Sequence, residues 1–323
     1  MGRVCDPRPV DRRSWTLLLV LASLWGASYL FIEIALEDLS PAMVVFLRTL
    51  LAALVLAPLA LARGALAGVR ALWRPIVLLA AVQVAGPFLL ISWGQEEITS
   101  SLAGILVASA PIMTALLAVV TAHDERPTPV GAGGIVLGIA GVALLLGVDV
   151  GGSSAALLGG LAVVLASLGY AIGSVFVKAR FRALQPLGLV TATMMASALL
   201  VLPVALATLP GETPGAGPLA AMAALGAGGT GVAFVIFYSL IAGVGPTKAS
   251  IVAYVAPVFA VIYGVTLRGD PFSAATLAGM GLILAGSWMA GQGRLPGRSR
   301  LRPAEAAADR ARPAPPQAPE VAA

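Results

Sequence analysis

The chain has 323 residues, of which 59% are hydrophobic and 11% charged, and its formal net charge is +5. Soluble domains carry about a quarter charged residues, so this composition excludes a soluble globular protein and makes lipid the solvent for most of the chain. A single cysteine (Cys5) and a single histidine (His123) exclude an internal disulfide framework and a multi-histidine metal site.

Residues 1–14 form a polar N-terminal segment with Arg3, Arg8, Arg12 and Arg13. An apolar run from Trp15 to Leu36 follows. It has the length of a membrane helix and no small-x-small cleavage signal, so it is expected to be a retained first helix rather than a signal peptide. Further spans are predicted near 42–62, 75–95, 100–121, 130–148, 157–177, 187–208, 218–242, 246–267 and 273–291. Each has the length an α-helix needs to cross the hydrocarbon core. Residues 294–323 are rich in Arg, Pro and Ala and lack the apolar area to offset their ordering entropy, so a disordered cytoplasmic tail is expected.

The basic residues orient the spans. With the N-terminus inside, 18 of the 20 bases fall on inner segments or the tail. Arg48 lies within helix 2, and only Arg268 falls outside, where Glu37, Asp38, Glu96, Glu97, Asp149 and Glu212 gather. Both termini are thus expected in the cytoplasm of an inner-membrane protein, and the bases need no nucleic-acid partner to explain them.

One offset recurs along the chain. Pro41 and Pro186, Pro58 and Pro203, Gly134 and Gly279, and Gly141 and Gly286 are each 145 apart; Pro111 and Pro257 are 146 apart. Ala108-Ser109-Ala110-Pro111 is echoed by Tyr254-Val255-Ala256-Pro257. The pattern predicts a first repeat over 15–148 and a second over 157–291, five helices each. Five is odd, so the second copy enters the bilayer upside down. The fold class is therefore an all-α integral membrane protein with about ten helices in two inverted five-helix repeats.

Pro111 and Pro257 remove a backbone hydrogen bond near mid-membrane. The freed carbonyls either face a cavity, with the prolines as hinges, or are satisfied by neighbouring helices. Pro87 and the cluster Gly226-Ala227-Gly228-Gly229-Thr230-Gly231 occupy matching places in helices 3 and 8 and should loosen both. Arg48, two turns into helix 2, and Glu33, one turn inside the end of helix 1, lie at equal depth. They are read as an ion pair, as a substrate anchor (Arg48) and proton-coupling site (Glu33), or as snorkelling side chains. Trp25, Tyr29, Gln83, Trp93, Tyr170, Tyr238 and Tyr254 are polar or aromatic groups at depth. Each is a candidate substrate contact or a packing residue. Glycine rows at Gly134, Gly138 and Gly141 and at Gly281 and Gly286 allow close helix approach, within the chain or at a homodimer seam. No phosphate-binding loop, hydrolytic triad or metal cluster is legible, so no enzyme activity and no cofactor is expected.

Leu24-Trp25-Gly26-Ala27-Ser28, Leu39-Ser40-Pro41, Phe46-Leu47-Arg48 and Ser109-Ala110-Pro111 with Glu125-Arg126-Pro127 resemble the first repeat of EamA-type members of the drug/metabolite transporter superfamily. Ala249 to Pro257, Gly269-Asp270-Pro271 and Gly279 to Gly286 are similar to its second repeat. The resemblance covers about residues 15–291 and implies ten helices and transport of a small metabolite, often export of amino acids or related compounds. Departures occur: Glu33 stands where a base is frequent, Asp270 replaces a glutamate, and Gly169-Tyr170 replaces a tryptophan-glycine pair. The expectation is a secondary transporter exporting or exchanging a small metabolite by alternating access, with proton or exchange coupling and lipid around it. The rival is a non-transporting membrane sensor or assembly protein.

Overall fold

The computed structural model describes residues 11–121, 128–148 and 151–292. His123, the Glu125-Arg126-Pro127 motif, Asp149 and the segment 294–323 lie outside the described residues, as do positions 1–10. The spans are α1 (Arg12–Ala35), α2 (Pro41–Ala62), α3 (Val69–Gly94), α4 (Ser100–Val119), α5 (Pro129–Val148), α6 (Ser154–Arg180), α7 (Pro186–Ala207), α8 (Ala216–Val244), α9 (Val252–Arg268) and α10 (Ala274–Gln292).

Local chemistry sets the starts. Asp11 accepts from the Ser14 amide at 2.9 Å to cap α1, and Ser40 accepts from the Met43 amide ahead of Pro41 to cap α2. Thr99 and Ser153 cap α4 and α6 in the same way. The side chains that face out remain apolar: Leu61, Val136, Leu199 and Leu277 are all more than half exposed. In water that surface would be unstable; in lipid it costs nothing. The predicted ninth span is corrected at its start. Pro246–Ala249 is a separate short helix, and a turn at 250–251 precedes α9, because the glycine before it, Gly245, adopts φ +87° and ends α8.

The packing repeats under exchange of the two halves. α1 lies on α9, and its counterpart α6 lies on α4; α3 lies on α6, and α8 on α1; α2 lies on α8, and α7 on α3. α2 pairs with its own counterpart α7, and α5 with α10. This is the contact pattern of a pseudo-two-fold axis, and five crossings per half turn that axis into the membrane plane.

The α5–α10 seam consumes the glycine rows. A Cβ on Gly286 would stand 2.5 Å from the Gly138 amide and 2.6 Å from the Gly134 carbonyl oxygen, and one on Gly141 would stand 2.9 Å from the Gly279 carbonyl. Backbones at this distance tolerate only glycine. Of the predicted small-residue positions, Gly281 alone faces open space.

The two halves are not equal, however. α4 packs against α1 and α10, while the corresponding contacts of α9, with α6 and α5, are not comparably close. α9 has swung away from the bundle on one side, and the gap it leaves is the site described next.

Candidate functional site: a central cavity between the repeats

Three backbone irregularities fall on α3, α4 and α8, helices that contribute to the wall of this gap. α3 widens into a π-helical stretch at Ala80–Ala85, just before Gly86-Pro87, and α8 does so at Ala224–Val232, through its glycine cluster. α4 breaks at Ala108-Ser109, between Ser100–Val107 and Ala110–Thr121. The expected loosening of α3 and α8 is seen in the backbone, and α4 breaks just before Pro111, whereas α9 runs as continuous helix through Pro257 (Val252–Tyr263). The carbonyl left free by Pro111 is that of Val107. It accepts from Ser167 Oγ on α6 at 3.4 Å, and the neighbouring Ala108 carbonyl accepts from Ser287 Oγ on α10 at 2.7 Å. Neighbouring helices therefore satisfy the break, although Pro111 itself lines the cavity.

The cavity measures about 910 Å³. It runs from Ile32, Arg48 and Ile91 to Ala118, Ser174, Ser250 and Gly291, residues close to the helix ends on the face where α1 begins and α10 finishes. Both repeats build its wall. Of the residues expected at the site, Trp25, Tyr29, Arg48, Tyr170, Tyr254, Pro111 and Pro257 come together here. Trp25 meets Phe234 edge-on at 6.2 Å, and Tyr254 meets Trp288 at 5.6 Å.

Three others lie elsewhere. Gln83 fills the space beside Gly173 and spaces α3 from α6. Trp93 is 44% exposed on the outer surface, and Tyr238 stacks on Phe234 behind the wall. Ser28, Phe88, Thr114, Thr230 and Phe234 line the cavity and were not singled out from sequence. Thr230 lay in view inside the glycine cluster, but nothing local says which way it points.

Arg48 is buried, with 9% of its surface exposed. The expected pair with Glu33 does not form. Arg48 Nε donates to Thr230 Oγ1 on α8 at 2.9 Å, and its guanidinium carbon lies 3.8 Å over the Phe88 ring. Glu33 is held instead by Arg268, from the last turn of α9. Arg268 Nε meets Glu33 Oε1, and Nη2 meets Glu37 Oε1, both at 2.9 Å. Equal depth was a poor guide because α9 approaches α1 more closely than α2 does on that face.

The Arg268 cluster belongs to a seal on the end opposite the cavity's mouth. Asp270 accepts from Ser100 Oγ at 3.1 Å and from the Ser101 amide at 2.9 Å, at the N-terminus of α4, where a carboxylate also meets the helix dipole. Asp38 accepts from the Gly215 amide at 2.7 Å, and Gln95 Nε2 donates to the Tyr29 carbonyl at 2.9 Å. Arg268, Asp270 and Asp38 each tie the first repeat to the second.

Comparison with known proteins agrees with this architecture. The sequence model of the EamA-like transporter family matches residues 13–147 and again 157–292. The chain is 28% identical over 274 residues to "Uncharacterized inner membrane transporter YedA" of Escherichia coli (strain K12), covering 83% of this chain and 87% of the relative. It is 24% identical over 284 residues to "Uncharacterized transporter" of Archaeoglobus fulgidus, covering 86% and 98%. A solved crystal structure superposes with a TM-score of 0.62 at 23% identity, covering 87% of this chain and 98% of the other, so the two share a fold.

Proposed function

The chain is a member of the EamA-like transporter family, and we propose that it is a secondary active transporter that exports or exchanges a small metabolite by alternating access. The observation that carries this reading is the asymmetry of an otherwise symmetric bundle. A cavity between the repeats reaches one end, while ion pairs and hydrogen bonds join the repeats at the other. An inverted repeat can exchange these roles, since what one half does at one end its counterpart can do at the other.

With both termini in the cytoplasm, as the distribution of bases favours, the open end faces inward and the Arg268 cluster closes the outside. Trp25, Tyr29, Arg48, Tyr170 and Tyr254 then contact the cargo, and the segments near Pro111 and Pro257 act as hinges. Glu33 acts at the seal rather than in the cavity. A proton on it would remove one of the two carboxylate charges that Arg268 meets, which gives proton coupling a route. Lipid surrounds the bundle, and the α5–α10 glycines are already spent, so a homodimer would use another face.

The test is flux. Purified protein in proteoliposomes is offered a panel of labelled metabolites, with and without a proton gradient and with and without unlabelled compound inside. Transport of at least one compound, dependent on a gradient or on exchange, is expected. No flux of any compound would favour the non-transporting sensor or assembly protein.

A further inference from the structure

Given the transport reading, on which this inference rests, we infer that the cargo is a monocarboxylate with an apolar or aromatic body, seated with its carboxylate on Arg48. The argument begins with what Arg48 lacks. It is buried, yet among the described residues no Asp or Glu lies within ion-pair distance of it. Its Nε is committed to Thr230 and one face to Phe88. The two terminal nitrogens make no hydrogen bond to a described residue, although Arg48 lines the cavity. A buried cation without a counter-ion is costly, and an anion arriving at those nitrogens would relieve it.

The geometry selects the kind of anion. The terminal nitrogens of a guanidinium present parallel N–H bonds in one plane, which match the two oxygens of a carboxylate. Thr230 and Phe88 hold that plane before the ligand arrives, so little rotamer entropy remains to be lost. Among the described residues the cavity wall contains no other Arg, no Lys, no Asp and no Glu. One positive charge matches one negative charge. A dianion would keep a charge uncompensated, and the ammonium of an amino acid would find no carboxylate. Besides Arg48 the wall carries Trp25, Tyr29, Tyr170 and Tyr254, surfaces suited to an apolar or aromatic body.

The experiment uses the full chain in nanodiscs of zwitterionic lipid. Binding is measured calorimetrically for 3-phenylpropionate, hexanoate, 3-phenylpropionamide, L-phenylalanine and inorganic phosphate. At least one of the two carboxylates should bind. The amide should bind about 10–150-fold more weakly, the range expected for one charge-assisted hydrogen bond, and phenylalanine and phosphate should also be weaker. Arg48→Gln should reduce carboxylate affinity by a similar factor while leaving the weak binding of the amide unchanged. Arg48→Lys, which keeps the charge without the fork, should fall between and serves if the glutamine variant does not fold. Equal affinity for the carboxylate and its amide or amino acid, full affinity in Arg48→Gln, or no binding of either carboxylate overturns the assignment. So does loss of binding when phosphatidylglycerol is added to the discs, since a lipid headgroup would then own the seat. Proteoliposomes separate the two readings. Carboxylate binding without flux sinks transport and spares the seat; flux of uncharged compounds that Arg48→Gln leaves unchanged sinks the seat and spares transport.

Discussion

Removing Arg268 should unlatch the sealed end. Its two contacts use different nitrogens, Nε to Glu33 and Nη2 to Glu37, each at 2.9 Å. The three side chains are 31%, 21% and 47% exposed, so solvent screens both pairs. Partly exposed pairs contribute about 0.2–1 kcal/mol each, and the two together about 0.5–2 kcal/mol. A shift of that size moves a two-state equilibrium about two- to thirtyfold. The readout is labelling by a membrane-impermeant maleimide added to the Arg268 side of the bilayer. The probe is Ile91→Cys, 2% exposed at the closed end of the cavity, in a Cys5→Ser background that removes the sole native cysteine. Arg268→Gln should raise the labelling rate about two- to thirtyfold, and Glu33→Gln or Glu37→Gln should each raise it less. High salt on the unaltered chain should move it the same way. A rate that stays constant or falls in Arg268→Gln would refute the latch.

Asp270→Asn weakens the carboxylate that meets the Ser101 amide and Ser100 hydroxyl; it should raise labelling of the same probe and add to Arg268→Gln, whereas a purely local effect would leave the probe unmoved. Gly286→Val sets a side chain against the Gly138 and Gly134 backbone. It should destabilise the bundle by about 1–3 kcal/mol or more, read as a lower melting temperature in detergent, while Gly281→Val, facing open space, should leave it unchanged. Ser287→Ala leaves the Ala108 carbonyl without its donor at the α4 break; a loss of about 1 kcal/mol is expected in the same melt, and an unchanged melt would mean that another group or water satisfies that carbonyl.

Much of the architecture was legible in the chain because it is written locally. Span length follows from runs of apolar residues, and the weak points of α3, α4 and α8 from Pro87, Pro111 and the 226–231 glycines. The 145-residue offset exposed the repeat before any contact was known. The site was legible only in part. Trp25, Tyr29, Arg48, Tyr170 and Tyr254 do meet in one cavity, yet Gln83, Trp93 and Tyr238, chosen on the same grounds of polarity and depth, do not. In water a helix shows which face is inward because the other face is polar. Here the outward face meets lipid and is as apolar as the core, so rotation about each helix axis leaves no trace in the pattern.

By itself the sequence determined a ten-span membrane protein folded as a doubled unit, with its bases sorted to one side, because each of these rests on hydropathy, length or internal identity. Only the tertiary structure decided which charges meet. Glu33 finds Arg268 at 235 positions' separation and Arg48 finds Thr230 at 182, pairings set by how far α9 leans on α1 and how α8 turns its widened stretch toward α2. The same lean of α9 opens the cavity at one end and closes the other. No local signal encodes it, because it rests on contacts between helices far apart in the chain.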